Sequence, residues 1–258
     1  MGAVLTLGVD LAAEPAGTAI AAIRWSDDTA AVEAVQVGVD DVALLAAVGS
    51  ADKAGIDCPI GWPAPFVEFL QAHHSGRFAS PDDIAGRAGR RRLAYRLTDL
   101  VTHAQTGQLP LSVAADRIGH TAMRCAALLA RLAAAGAPVD RCGDGVVVEV
   151  YPAASLRGWG LPFKGYKGVA NRPVLDDLVT ALLRAAPWLS PGAFEAVCRR
   201  SDHAFDAVVA ALTARAAATG RASRPDAAQA GTARAEGWIA LPTCPLEGLR
   251  PGTGQSQP

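Results

Sequence analysis

Between Val4 and Val37 the chain carries three apolar, strand-like runs with only short gaps between them: Val4 to Leu11, Thr18 to Trp25 and Thr29 to Val37. A parallel pair needs a crossover of a dozen residues or more, so neighbours this close must pair as an antiparallel meander. Turn-prone Ser26-Asp27-Asp28 separates the second and third runs. A helix follows from Asp40 and Asp41 through Val48, with aspartate as a natural N-cap. Ala54 to Asp57 then reads as a fourth strand, stopped by Cys58-Pro59-Ile60-Gly61-Trp62-Pro63. Strand, strand, strand, helix, strand is the order of an antiparallel hairpin beside a parallel pair.

Downstream, Pro63 to Gly107 is polar and irregular, with short helical pieces and the densest positive charge, including Arg77, Arg87, Arg90, Arg91, Arg92 and Arg96. Asp116 to Ala135 reads as a long helix stopped by Gly136. Val146 to Val150 is a fifth strand carrying Glu149. Arg172 to Ala185, Phe194 to Arg199 and Asp202 to Thr219 are helical, and Trp238 to Leu241 is a short final strand. No repeat or linker divides the chain, which predicts one domain over 1–245 and a disordered tail over 246–258, richest in Gly, Pro, Gln and Ser from Pro251.

With 24 basic against 25 acidic residues the molecule has no bulk attraction for nucleic acid, so any such site is a local patch. The five cysteines are scattered, odd in number and without C-x-x-C spacing, as in a reducing, cytoplasmic protein. No apolar run approaches the ~20 residues of a membrane span.

Four aspartates stand out. Asp10 ends an otherwise apolar strand, and a buried carboxylate without a partner costs several kcal/mol. Asp57 closes the fourth strand in the same way. If strands one and four are parallel neighbours, both carboxylates emerge at one carboxyl edge of the sheet, where open α/β sheets place ligands. Asp202 and Asp206, four apart, share a helix face on which like charges repel unless a cation bridges them. Asp202 alone reads equally as an N-cap, whereas Asp206 sits within an alanine-rich run that must pack. Metal-assisted phosphodiester hydrolysis uses this chemistry: Mg2+ or Mn2+ takes a few carboxylate oxygens and relieves their mutual repulsion.

Six fragments occur in order: Gly8-Val9-Asp10-Leu11-Ala12, Gly55 to Gly61, Arg96-Leu97-Thr98-Asp99, Glu149 to Ala153, Asp202 to Ala207, and Glu236-Gly237-Trp238-Ile239. Together they resemble domain-of-unknown-function family 429, described as predicted nucleases of the ribonuclease H-like superfamily. The resemblance implies an α/β, ribonuclease H-like fold: a five-stranded mixed sheet of order 3-2-1-4-5 with helices on both faces. By its analogy to metal-dependent resolvases, Asp10, Asp57, Asp202 and Asp206 are the metal-ligand positions.

Around these, Glu149 reads as a further ligand or base, or as an acceptor for Tyr151 or an arginine. Arg96, Thr98 and Asp99 read as a phosphate contact oriented by a carboxylate, or as an internal salt bridge. Arg90, Arg91 and Arg92 suit a phosphate backbone, and Lys164, Tyr166 and Lys167 suit a base stack with phosphate contacts. His203 is a candidate general base, while His73 and His74 read as polar surface. The expected partner is nucleic acid, without a membrane, and a homo-oligomer is left open. Two other readings stand beside the nuclease: an actin-like phosphotransferase, for which Asp10 with Gly17-Thr18 resembles a weak phosphate loop, and a non-catalytic binding module.

Overall fold

Hydrogen bonding on both flanks makes β1 (Val4–Asp10) the pivot of a six-stranded mixed sheet. It pairs antiparallel with β2 (Ala19–Trp25), which pairs antiparallel with β3 (Ala30–Val37). On its other side lies β4 (Lys53–Asp57), parallel to β1, followed by β5 (Val147–Glu149), parallel to β4. The computed structural model describes residues 4–77, 84 and 86–252. The expected order 3-2-1-4-5 is present, but the sheet has six strands, not five: β6 (Leu189–Ser190) adds in parallel to the outer side of β3. Two residues between Pro187 and Pro191 carry no periodicity from which a strand can be read.

Side chains on β2 alternate between two apolar cores. Ala21 and Ile23 pack with Leu175, Leu178 and Phe205, whereas Ile20 packs with Leu44, Val48 and Leu128. Helices Arg172–Ala185 and Asp202–Ala218 therefore cover one face, and Asp41–Gly49 and Gly119–Ala134 the other. Asp40 caps the first of these, accepting from Ala43 N at 2.8 Å.

Small residues bring helix Asp202–Ala218 directly onto the sheet. Gly8 and Gly55 are partners in the β1–β4 register, two residues before the Asp10–Asp57 pair. A β-carbon at Gly8 would overlap the Ala207 carbonyl and the Ala211 amide, and one at Gly55 would lie 2.7 Å from the Ala210 carbonyl oxygen. The alanines of the helix and the glycines of the strands are thus one contact seen from two sides. Because helix backbone cannot move aside as a flexible side chain can, Gly8→Ala should cost about 3 kcal/mol, the upper part of the usual overpacking range. That corresponds to a drop of roughly 6–12 °C in Tm for a domain of this size. An unchanged melting curve would show that the helix does not rest on β1 in this way.

Three other expectations shift. Trp238 to Leu241 forms no ladder, only an isolated parallel bridge between Glu149 and Ile239. The expected helix from Asp116 begins at Gly119, after a turn. Leu246–Leu249, within the stretch expected as tail, forms a 3-10 turn with Leu246 and Leu249 buried, while 253–258 lie outside the described residues. Among the described residues no helix is long and apolar enough to cross a membrane.

Candidate metal centre

The parallel β1–β4 register sets Asp10 opposite Asp57 at the last rung of both strands. Helix Asp202–Ala218, seated on the two glycines, delivers Asp206 to the same edge. The result is a group of three carboxylates, Asp10, Asp57 and Asp206, with one oxygen of each within 4.8 Å of the others. Asp206 is buried at 1% exposure and Asp10 at 8%, with Asp57 more open.

Each carboxylate has a different surrounding. Tyr166 Oη donates to Asp206 Oδ1 at 2.8 Å, and the Lys167 ammonium lies 2.7 Å from Asp206 Oδ2. His203 Nδ1 lies 2.6 Å from Asp10 Oδ2. An ionised carboxylate only accepts, so this nitrogen carries the proton. Among the described residues, Asp57 accepts no hydrogen bond through its side chain.

Burial raises the Asp57 pKa well above the ordinary carboxylate value; Lys167 opposes this, and Asp10, Asp206 and Glu149 reinforce it. Burial likewise lifts Asp206 to about 6, against the pull of the Lys167 charge. The hydrogen bond to Asp10 raises His203. Each of these groups holds its proton more tightly folded than unfolded, so each stabilises the fold at low pH and loses that contribution as pH rises. Without metal, the protein should melt higher at pH 5 than at pH 8. Mg2+ or Mn2+ should stabilise the fold chiefly at pH 8, by about 2.7 kcal/mol at a hundredfold excess over Kd, read as a higher Tm. A metal effect equal at both pH values would place the ion elsewhere.

Three hard, anionic oxygen donors suit a divalent cation that completes its shell with water, which is the preference of Mg2+ and Mn2+. Asp57, with no protein donor, is the carboxylate most in need of one.

Several sequence-derived candidates take other roles. Asp202 lies outside the group of three: its Oδ2 accepts from Gly168 N at 2.9 Å, tethering the loop that presents Lys167. The helix cap is Ser201, accepting from Ala204 N. Glu149 lies outside the group of three and is an acceptor for an arginine, Arg96 meeting it through both terminal nitrogens at 2.7 and 2.8 Å. The same guanidinium holds Asp99 at 2.8 Å and is 1% exposed, so Arg96 and Asp99 form an internal ion-pair network and not a phosphate contact. Thr98 is equally internal, its hydroxyl accepting from Ile239 N at 2.8 Å. Tyr166 cannot stack on a base, being buried edge-on to Phe205 and bonded to Asp206. Lys164 is exposed and lies over the Phe163 ring.

Asp10 and Asp57 open into a cleft of about 340 Å³, lined also by Arg117, Leu111 and Tyr151. Arg90, Arg91 and Arg92 belong to helix Gly86–Ala94 and do not line it; Arg91 lies over Tyr95 instead. The weak phosphate-loop reading of Gly17-Thr18 loses its donor, since the buried Thr18 hydroxyl bonds Glu14 O and Arg124.

The family described as "Protein of unknown function (DUF429)" matches residues 8–230. The chain belongs to the DUF429 family. No curated protein and no solved structure matches it. In this DUF429 chain the matched span contains Asp10, Asp57 and Asp206 together with His203, Tyr166 and Lys167. The sequence signal for His203 is its spacing: three residues before Asp206, it shares that helix face. Glu236 gives no such signal. Buried, it accepts from Ala64 N at 2.8 Å and Leu97 N at 2.7 Å, capping the helices Ala64–His74 and Leu97–Thr106.

Proposed function

We propose that this DUF429 chain is a metal-dependent nuclease with a ribonuclease H-like fold, hydrolysing phosphodiester bonds of nucleic acid with Mg2+ or Mn2+. The observation that carries the reading is the convergence of Asp10, Asp57 and Asp206, from two adjacent parallel strands and one helix, at a single edge beside a cleft. A six-stranded sheet of order 6-3-2-1-4-5, with the helix that carries Asp206 laid across its centre, supports the fold assignment.

When bound, a divalent ion supplies charge neutralisation on the phosphoryl oxygens and an activated water. Asp10, Asp57 and Asp206 would hold it. His203 keeps Asp10 oriented through Nδ1; its half-exposed ring leaves Nε2 to accept or return a proton. Lys167 and Tyr166 fix Asp206 and temper its burial. Purified protein with Mn2+ should therefore cut members of a panel of end-labelled DNA and RNA, single-stranded and duplex, and EDTA should stop it. A wild-type protein that binds Mn2+ yet leaves the whole panel intact would refute the nuclease assignment.

A further inference from the structure

Among the described residues three cations line the cleft, and two of them are committed. Arg96 is enclosed by Asp99 and Glu149, and the Lys167 ammonium sits on Asp206. The third, Arg117, is exposed and takes part in none of the ion pairs among the described residues.

Its backbone is nonetheless firmly set. Asp116 Oδ2 accepts from Ser112 N at 2.7 Å, Ser112 Oγ accepts from Ala115 N at 3.0 Å, and the same hydroxyl donates to Ala94 O at 2.6 Å. Ser112 and Val113 are buried. A rigid turn thus holds a free guanidinium at the wall of a cleft whose other two cations are already paired with carboxylates. Beside it, Leu111 is 47% exposed and Tyr151 shows part of its ring next to Asp57.

An arginine fork matches phosphate geometry with paired, charge-assisted hydrogen bonds, and an exposed leucine with a tyrosine offers apolar surface to a base. At about 340 Å³ the cleft is at the small end of ligand sites, which run from about 300 to 1,000 Å³. That space is the size of one nucleotide unit.

We infer that the cleft takes a single unstacked nucleotide unit of a single strand, with Arg117 binding its phosphate next to the acidic group. This rests on the nuclease reading and names its substrate class. Arg117 is the substrate-positioning residue of the site.

The test is calorimetric titration of the full chain with adenosine 5′-monophosphate in saturating Mn2+, with Mn2+ binding measured separately. Wild type should bind the nucleotide, and Arg117→Ala should weaken it about tenfold to a hundredfold. Mn2+ affinity should not change. Arg117→Lys should recover part of the loss, since a point charge remains without the fork. A single-stranded oligonucleotide should displace the nucleotide far better than the same sequence as a duplex. Equal nucleotide binding by Arg117→Ala and wild type overturns the inference, as does a wild type that binds Mn2+ but no nucleotide. Duplex displacing as well as single strand overturns the substrate class. Loss of Mn2+ binding by wild type would instead strike the proposed function itself.

Discussion

Asp57→Asn should abolish metal-dependent cleavage while leaving the protein folded and at least as stable as wild type. The amide keeps the shape of the side chain but not its negative charge, which a divalent ion requires of a ligand. Metal-borne charge stabilisation is worth several kcal/mol, and each ~1.4 kcal/mol is a factor of ten, so the loss should be about a thousandfold or more. Stability moves the other way because Asp57 is held above its ordinary pKa by burial and by its acidic neighbours. Removing its charge relieves that strain at neutral pH. Asp10→Asn should lose activity to a similar extent and keep the acceptor for His203 Nδ1. Asp202→Asn should retain activity, because Asp202 meets the Gly168 amide and not the group of three. Steady-state cleavage rates beside thermal melts separate these outcomes. A sharp fall in Tm for Asp57→Asn would mark the carboxylate as structural.

Arg96→Ala should do the reverse, unfolding much of the protein with no metal chemistry involved. Burial alone would lower the Arg96 pKa, but Glu149 and then Asp99 outweigh it and hold the guanidinium firmly charged. Truncation leaves both carboxylates buried at 0–3% exposure without their cation. Breaking a buried pair this way costs about 3–5 kcal/mol, and two orphaned acids place this change at the upper end. A Tm lower by roughly 10–20 °C follows. Arg96→Lys should fare little better, since one ammonium cannot fill two forks. If Arg96→Ala instead kept its Tm and lost only substrate affinity, the arginine would be a phosphate contact after all.

The contrast between Asp57 and Arg96 shows where sequence is informative. The meander is legible because the gaps between the first three runs are too short for any crossover. Asp10 and Asp57 are legible because each ends an apolar strand, and Asp206 because it interrupts an alanine-rich helix that must pack. In each case local context makes a charge expensive unless it has a purpose. Beside Asp99, Arg96 reads as a phosphate contact or as an internal salt bridge, and the partners that decide it, Glu149 and the Glu236 carbonyl, lie 53 and 140 residues away. A sequence displays a charge but not the countercharge that folding delivers to it. Tyr166 misleads for the same reason: a basic loop with an aromatic suggests a stacking platform, yet the ring is turned inward onto Asp206. Arg117 is silent locally, since its significance lies in what it fails to pair with.

The most direct test of the metal centre is a Mn2+ titration at pH 7.5 followed by electron paramagnetic resonance, on wild type and on the Asp10→Asn, Asp57→Asn, Asp206→Asn and Asp202→Asn variants. Binding should be saturable in wild type and in Asp202→Asn, and should weaken at least tenfold in each of the other three. Mn2+ binding that survives unchanged in the variant carrying all three substitutions, Asp10→Asn, Asp57→Asn and Asp206→Asn, would contradict the account.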